Sequence, residues 1–198
     1  MKQKIKEDGQ MGTYVNPGNS AFNRINDEDY VDKTLMIDLI NKTIDKKNNL
    51  TCISRPRRFG KSYAAKMLVA YYDCSCKSEA LFDDKKIAKT KLYKEHMNKH
   101  NVIYLEMSEF VSRAREEKRA LSDVPAMVKA AIKKDLAACG MLESDDEDLS
   151  SALIRIAGLQ ASLSLSSLVS MFMKGLPCSA HIFSALSMIS LVTPALQA

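Results

Sequence analysis

Three consecutive residues, Gly60-Lys61-Ser62, have the side chains and backbone freedom needed to hold a polyphosphate. A glycine lets the main chain approach phosphate oxygens closely. A lysine supplies an ammonium for the β- and γ-phosphates, and a serine offers its hydroxyl to Mg2+. The triplet closes the stretch SRPRRFGKS, residues 54–62, in which Arg55 stands where the pattern G-x-x-x-x-G-K-[ST] has its first glycine. Arg55-Pro56 offers another route to a tight turn, because proline fixes its own φ and restricts the residue before it. Arg57 and Arg58 add positive charge beside the expected phosphate position. Two other readings compete: a solvated basic turn, and a basic patch on nucleic-acid phosphates. Against the second, aromatic interleaving is sparse and one basic cluster does not make a footprint.

A phosphate loop requires a strand before it and a helix after it, and the sequence offers both. Residues 50–54, LTCIS, form a short apolar run with β-branched members that predicts a buried strand. Residues 62–73 have good helix formers with apolar positions at Ala64, Met67, Leu68 and Tyr71. Upstream, Met36, Ile40 and Ile44, with Leu39 flanking, predict an amphipathic helix from Asp32. Residues 74–100 mix short helical patterns with many lysines and are expected at the surface.

Downstream, residues 101–107, NVIYLEM, read as a second buried strand. Residues 121–140 predict a helix with Ser122 as cap, Pro125 in the first turn and Val128, Ile132 and Leu136 on one face. Gly140 would supply its left-handed stop. After an acidic loop, residues 149–159 form another short amphipathic stretch. Strands alternating with helices predict a three-layer α/β domain with a parallel sheet.

The chain of 198 residues is long enough for one domain with a sizeable core, and its net charge of +5 permits an anionic ligand without implying nucleic acid. Cys52, Cys74, Cys76, Cys139 and Cys178 form no paired C-x-x-C framework, so free thiols in a reducing cytosol are expected. The N-terminus lacks the apolar run of a signal peptide, which points to a cytoplasmic protein.

The segment YVDKT at residues 30–34, a following helix, then SRPRRFGKS, YYD and NVIYLEMSEF resemble the AAA-ATPase-like family of bacterial proteins. That family writes its P-loop R-P-R-R-F-G-K-[ST] and often has a PD-(D/E)XK nuclease-like domain behind the ATPase domain. The resemblance covers about residues 11–157 and makes Arg55 the family's own variation on the loop. It implies a P-loop-type α/β/α fold and ATP with Mg2+ as cofactors. By matching position, Arg57, Arg58, Phe59, Gly60, Lys61 and Ser62 would form the nucleotide site, with Lys61 as the catalytic lysine and Ser62 as the Mg2+ ligand. Asp32 and Lys33 look like a family signature with no chemical role legible in the sequence. A capped helix start is the plainer reading of that pair.

An ATPase also needs a carboxylate at the end of a core strand to hold Mg2+ or orient the attacking water. In this family that element resembles L-I-D-E-[YW]-D, and no such text follows Leu159. Glu106 is the one substitute on an expected strand, though strand order counts against it. The resemblance therefore implies an ATP-binding domain with impaired hydrolysis. The alternative is a non-enzymatic nucleic-acid or partner-binding module using RPRR.

Composition also breaks near Arg155. The last 43 residues have one charge, Lys174, against 28 basic and 24 acidic residues before them. Membrane helices, buried core and a shifted reading frame are the three readings of this tail. Serines, His181, two prolines and missing flanking charge argue against a span. An abrupt loss of charge where an acidic motif is due fits a shifted frame best, and then neither His181 nor Cys178 is a ligand. The expected organisation is a polar arm at 1–26, a partial P-loop domain at 27–159 and a low-charge tail at 160–198.

Overall fold

The helix after the loop has almost no polar face to give to water. Ala64, Ala65, Met67, Leu68, Val69, Ala70, Tyr71 and Tyr72 are all buried in it, and a helix apolar nearly all round must be enclosed by other elements. In the computed structural model, which describes residues 11–26, 30–44, 46, 51–54, 56, 58–144 and 147–163 (side chains to 157), that enclosure is helical. The described α-helices are α1 (Ser20–Asn26), α2 (Leu35–Asn41), α3 (Lys61–Tyr72), α4 (Glu79–Phe82), α5 (Met107–Glu116), α6 (Val124–Ala138) and α7 (Leu149–Leu163). Short 3-10 turns at Lys86–Lys89 and Leu121–Asp123 join them.

Two apolar clusters divide the core. The first gathers Phe22 and Ile25 of α1, Ile37 and Ile40 of α2, much of α3, Phe82 and Ile87. The second gathers Tyr14, Val15, Phe110 of α5, and Val128, Ile132 and Leu136 of α6, with Leu149 and Leu153 of α7 against it. Residues 101–106 run between them with a period of two. Val102 and Tyr104 join the first cluster, whereas Ile103 and Leu105 join the second. This is the side-chain alternation of a strand buried on both faces.

The backbone pairing of that segment is slight. Val15 and Ile103 form an isolated antiparallel bridge, and Asp73 and His100 an isolated parallel one. Asn16, at φ 48°, completes the pairing with a side chain. Its amide N–H donates to the Val102 carbonyl at 2.8 Å, and its Oδ1 accepts from the Val102 N–H at 2.7 Å. Among the described residues no longer strand is formed. Residues 51–54, expected as a buried strand, have Thr51, Cys52 and Ser54 exposed. A parallel strand must hydrogen-bond along both edges to be buried, and the described residues around 51–54 supply no such partner.

Other expectations meet the structure residue by residue. Of the stripe expected at Met36, Ile40 and Ile44, the last two are buried, Ile44 just beyond α2; Ile37 is buried where Met36 is only half-buried, and Leu39 is 64% exposed. α6 follows its pattern closely. Pro125 lies in the first turn, Val128, Ile132 and Leu136 are buried, and Gly140 at φ 67° ends the helix. The Met141 N–H reaches the Leu136 carbonyl and the Gly140 N–H the Ala137 carbonyl, which is the Schellman arrangement. Ser122 makes no cap; its hydroxyl lies 3.5 Å from the neighbouring Asp123 carboxylate.

Two stretches are more buried than their composition suggests. Residues 11–26, expected as a polar arm, contribute Tyr14, Val15, Phe22 and Ile25 to the core. Within 74–100 the lysines other than the half-buried Lys85 stay outside, while Phe82, Ile87, Tyr93 and Met97 turn inward. Residues beyond Leu163 lie outside the described residues, and α7 crosses the boundary expected at 159.

Phe82 links these parts. It is fully buried, stacks on Phe22 at 5.2 Å between centroids and meets Tyr71 edge-on at 5.6 Å. Phe82→Ala is expected to cost about 3–5 kcal/mol, the range for emptying a buried aromatic site. Urea unfolding followed by circular dichroism measures it, and a loss under about 1 kcal/mol would mean that Phe82 does not join these helices.

Candidate functional site

The loop of residues 58–62 enters α3 through two left-handed backbone positions. Arg58 has φ 69° and Gly60 has φ 72°, with Phe59 between them. Gly60 adopts that conformation freely, whereas an arginine there carries strain of about 1–3 kcal/mol. Left-handed residues set between right-handed ones turn successive N–H groups toward one side, which makes a concavity suited to an anion. Here the two left-handed residues stand just before the N-terminus of a twelve-residue helix, the positive end of its peptide dipoles.

Two ammonium groups hold the loop's carbonyls. Lys61 donates to the Pro56 carbonyl at 2.9 Å, and Lys33 donates to the Phe59 carbonyl at 3.1 Å. Lys33 lies so close that a Cβ on Gly60 would come within 2.5 Å of its Nζ. Ser62 occupies the first turn of α3, half-buried, while Phe59 and Tyr63 expose their rings beside the loop. Gly60, Lys61 and Ser62 are therefore brought together with Arg58 and Phe59 in one turn, as their spacing requires. Arg55 and Arg57 lie outside the described residues.

The YVDKT segment that reaches the loop is itself tightly anchored. The Asp32 carboxylate accepts hydrogen bonds from the Thr34 N–H at 2.8 Å, the Thr34 hydroxyl at 2.7 Å and the Lys86 N–H at 2.9 Å. Thr34 Oγ1 in turn accepts from the Ile87 N–H at 3.1 Å. The Tyr30 hydroxyl lies 3.1 Å from the Met67 sulfur of α3 and 3.4 Å from the Lys33 N–H. Burial works against the Asp32 charge, but the hydrogen bonds from Thr34 and Lys86 outweigh it and hold the carboxyl below its ordinary range. The expectation of a capped helix start is thus met in part. Asp32 organises the turn before α2, and Thr34 makes no side-chain cap of its own.

Glu106 sits elsewhere in the architecture, at the N-terminal boundary of α5. Its carboxylate accepts from the Ser108 hydroxyl at 3.2 Å. Burial first, and the Glu106 charge second, push the neighbouring Tyr104 phenol up to about 12. The residue whose position the sequence did not connect to the loop is Lys33. Only the pinned turn before α2 brings it across the 26 residues to Phe59, and no spacing rule encodes such a crossing.

Nothing in the described residues competes with this loop as a site. No group of three or more His, Cys, Asp or Glu side chains among them is placed to hold a metal ion. Burial pushes the Cys76 thiol up to about 11, so it stays protonated and unreactive at neutral pH. Among the described residues no helix is long and apolar enough to cross a membrane.

The family model described as "Predicted AAA-ATPase" matches residues 17–168. The chain belongs to this AAA-ATPase-like family. Membership implies use of a nucleotide, usually with Mg2+. The match extends past residue 157, where the resemblance read from the motifs ends. No curated protein and no solved structure matches the chain.

The Asp32 turn gives a pH-dependent expectation. Its carboxyl is favoured as a carboxylate in the folded state, so the stabilisation is complete above the unfolded value of about 4 and is lost as pH falls below it. Asp32→Ala should therefore lower stability by about 2 kcal/mol at neutral pH, the scale of losing hydrogen bonds to a charged group. The gap to wild type should narrow as the pH falls from about 4 into the acid range. Urea midpoints of both proteins across that range are the measurement; a gap independent of pH would remove Asp32 as the organiser of this turn.

Proposed function

We propose that the 54–62 loop binds ATP with Mg2+ as the phosphate loop of a P-loop-type α/β domain. The observation that carries this reading is the pair of left-handed residues, Arg58 and Gly60, opening onto the N-terminus of α3 beside Lys61. The residues present suit the ligand. Backbone N–H groups of the concavity suit phosphate oxygens, Lys61 suits the β- and γ-phosphates, and the Ser62 hydroxyl suits Mg2+. Arg57 and Arg58 add positive charge within the same motif. Bound Mg2+ would neutralise charge developing on the phosphates.

A basic turn with no ligand would gain nothing from a strained arginine, and α3 has no acidic residue in its first turn to offset the cations. A left-handed arginine is costly in itself, and a helix N-terminus favours an anion. We further propose the parallel-sheet organisation of such domains for the part of the chain that includes residues 50–54. Its acidic strand is missing from the text after Leu159, and hydrolysis is impaired accordingly. Glu106 is poorly suited to replace it, since its carboxylate is engaged at the start of α5 by Ser108.

Isothermal titration tests binding. Wild type should take up Mg-ATP, and Lys61→Ala should bind at least tenfold more weakly, about 1.4 kcal/mol. Phosphate release by the wild type should not exceed the Lys61→Ala background. Equal affinities would refute the nucleotide site. Robust turnover abolished by Glu106→Gln would give Glu106 the catalytic role denied to it here.

A further inference from the structure

We propose that Lys33 is a second phosphate-binding lysine of the loop, supplied from the turn before α2 and transferred from the Phe59 carbonyl to the nucleotide's phosphates on binding. This rests on the nucleotide reading above and extends it to a residue far outside the loop motif.

The backbone around Lys33 is held from two directions. Its neighbours Asp32 and Thr34 are fixed to the 3-10 turn at Lys86–Lys89 by the hydrogen bonds from Lys86 and to Thr34 Oγ1 from Ile87. Thr34 is fully buried. On the other side, Tyr30 contacts α3 through Met67. A surface lysine ordinarily samples many rotamers on a mobile backbone, at little consequence to stability. Here the backbone on both sides of Lys33 is tied down, and its ammonium projects onto the loop, 3.1 Å from the Phe59 carbonyl.

That single bond does not account for the placement. A single lysine–carbonyl contact at an exposed site gains little once the side-chain entropy lost in holding it is set against it. Against it stands the position itself: Lys33 adds a second ammonium to the positive end of α3, where Lys61 already sits and no acidic residue occupies the first turn. Cations are disfavoured at a helix N-terminus. Among the described residues Lys33 makes no ion pair, and its hydrogen bond is to a neutral acceptor. An anion in the concavity reverses each of these signs. The ammonium then exchanges a neutral carbonyl for a charged oxygen, a bond roughly twice as strong. Because the Asp32–Thr34 anchor is formed in advance, little ordering remains to be done on binding.

The same geometry allows Lys33 merely to brace the loop through Phe59, so the test separates charge from bracing. Lys33→Gln keeps a neutral donor, one bond shorter than lysine, on the side of the Phe59 carbonyl, whereas Lys33→Arg keeps the charge. Titrations of the full chain with Mg-ATP, Mg-ADP and AMP would be compared for wild type, Lys33→Ala, Lys33→Gln, Lys33→Arg and Lys61→Ala, with thermal midpoints checked for each. The expected result is a loss of about tenfold for Mg-ATP in both Ala and Gln variants. The loss should be smaller for AMP, affinity should be largely restored in Lys33→Arg, and thermal midpoints should stay unchanged because Lys33 is exposed. Wild-type affinity in Lys33→Gln would overturn the proposal and leave Lys33 a brace, as would an equal loss for all three nucleotides. Wild-type affinity in Lys33→Ala beside a weakened Lys61→Ala would overturn it while the loop assignment stands. No binding by folded wild-type protein would overturn both.

Discussion

The enclosure of α3 is the constraint on which the rest of the structure depends. A twelve-residue helix with eight buried side chains leaves no freedom to shift or rotate without exposing apolar surface. Both ends are thereby fixed. Its C-terminal end carries the pair Tyr71 and Tyr72. The Tyr72 hydroxyl donates to Asn41 Oδ1 at 2.6 Å, and the Tyr71 hydroxyl to the Tyr93 carbonyl at 2.6 Å, tying α2 and the 90–100 region to the same helix. Burial pushes the Tyr71 phenol up to about 12, so it remains a donor throughout the physiological range. At the N-terminal end the loop inherits that fixity. A site on the end of a buried helix needs only to control a few loop residues, and two lysines from different segments do so.

A second constraint concerns polar groups brought inside with this helix. Asp73, immediately after α3, is buried, and burial raises its carboxyl above the ordinary range even as hydrogen bonds from Ser75 and Gly18 favour the charge. The Gly18 N–H donates to it at 2.7 Å and the Ser75 N–H at 2.8 Å. Asn16 does comparable service for residues 101 and 102, donating to Asn101 Oδ1 at 2.8 Å. In a molecule whose described residues form only isolated bridges, side chains take over hydrogen bonding that longer strands would otherwise perform.

Legibility in the sequence followed the range of the interaction. The helices at 61–72 and 124–138 were readable because their signals are local: apolar spacing, a proline in the first turn, a glycine at the stop. The burial of residues 102–105 was readable from a continuous apolar run, although the strand expected at 101–107 is only an isolated bridge at Ile103, and Met107 begins α5. Gly60, Lys61 and Ser62 could be named because one turn of chain sets their geometry. Lys33 could not be given a role, since its placement depends on Asp32 meeting Lys86, 54 residues away. Likewise Phe22 and Phe82 are apolar residues in polar surroundings, and only their meeting across the first cluster makes them core. Ser122 is the opposite case. A good local capping signal went unused because a 3-10 turn occupies Leu121–Asp123.

The anchoring of the N-terminal segment carries a consequence for biosynthesis. The Tyr14 and Val15 N–H groups both donate to Oδ2 of Asp135, a residue synthesised 120 positions after Val15. Asn16 waits in the same way for Val102, 86 positions later. A chain emerging from the ribosome can assemble α1, α2 and α3 early, since their contacts lie within the first cluster. Residues 14 and 15, although made first, find their shared acceptor only after α6 has left the exit tunnel. The first part of the described chain to be translated is thus among the last to be stitched down, and the two clusters are joined at a late step of vectorial folding.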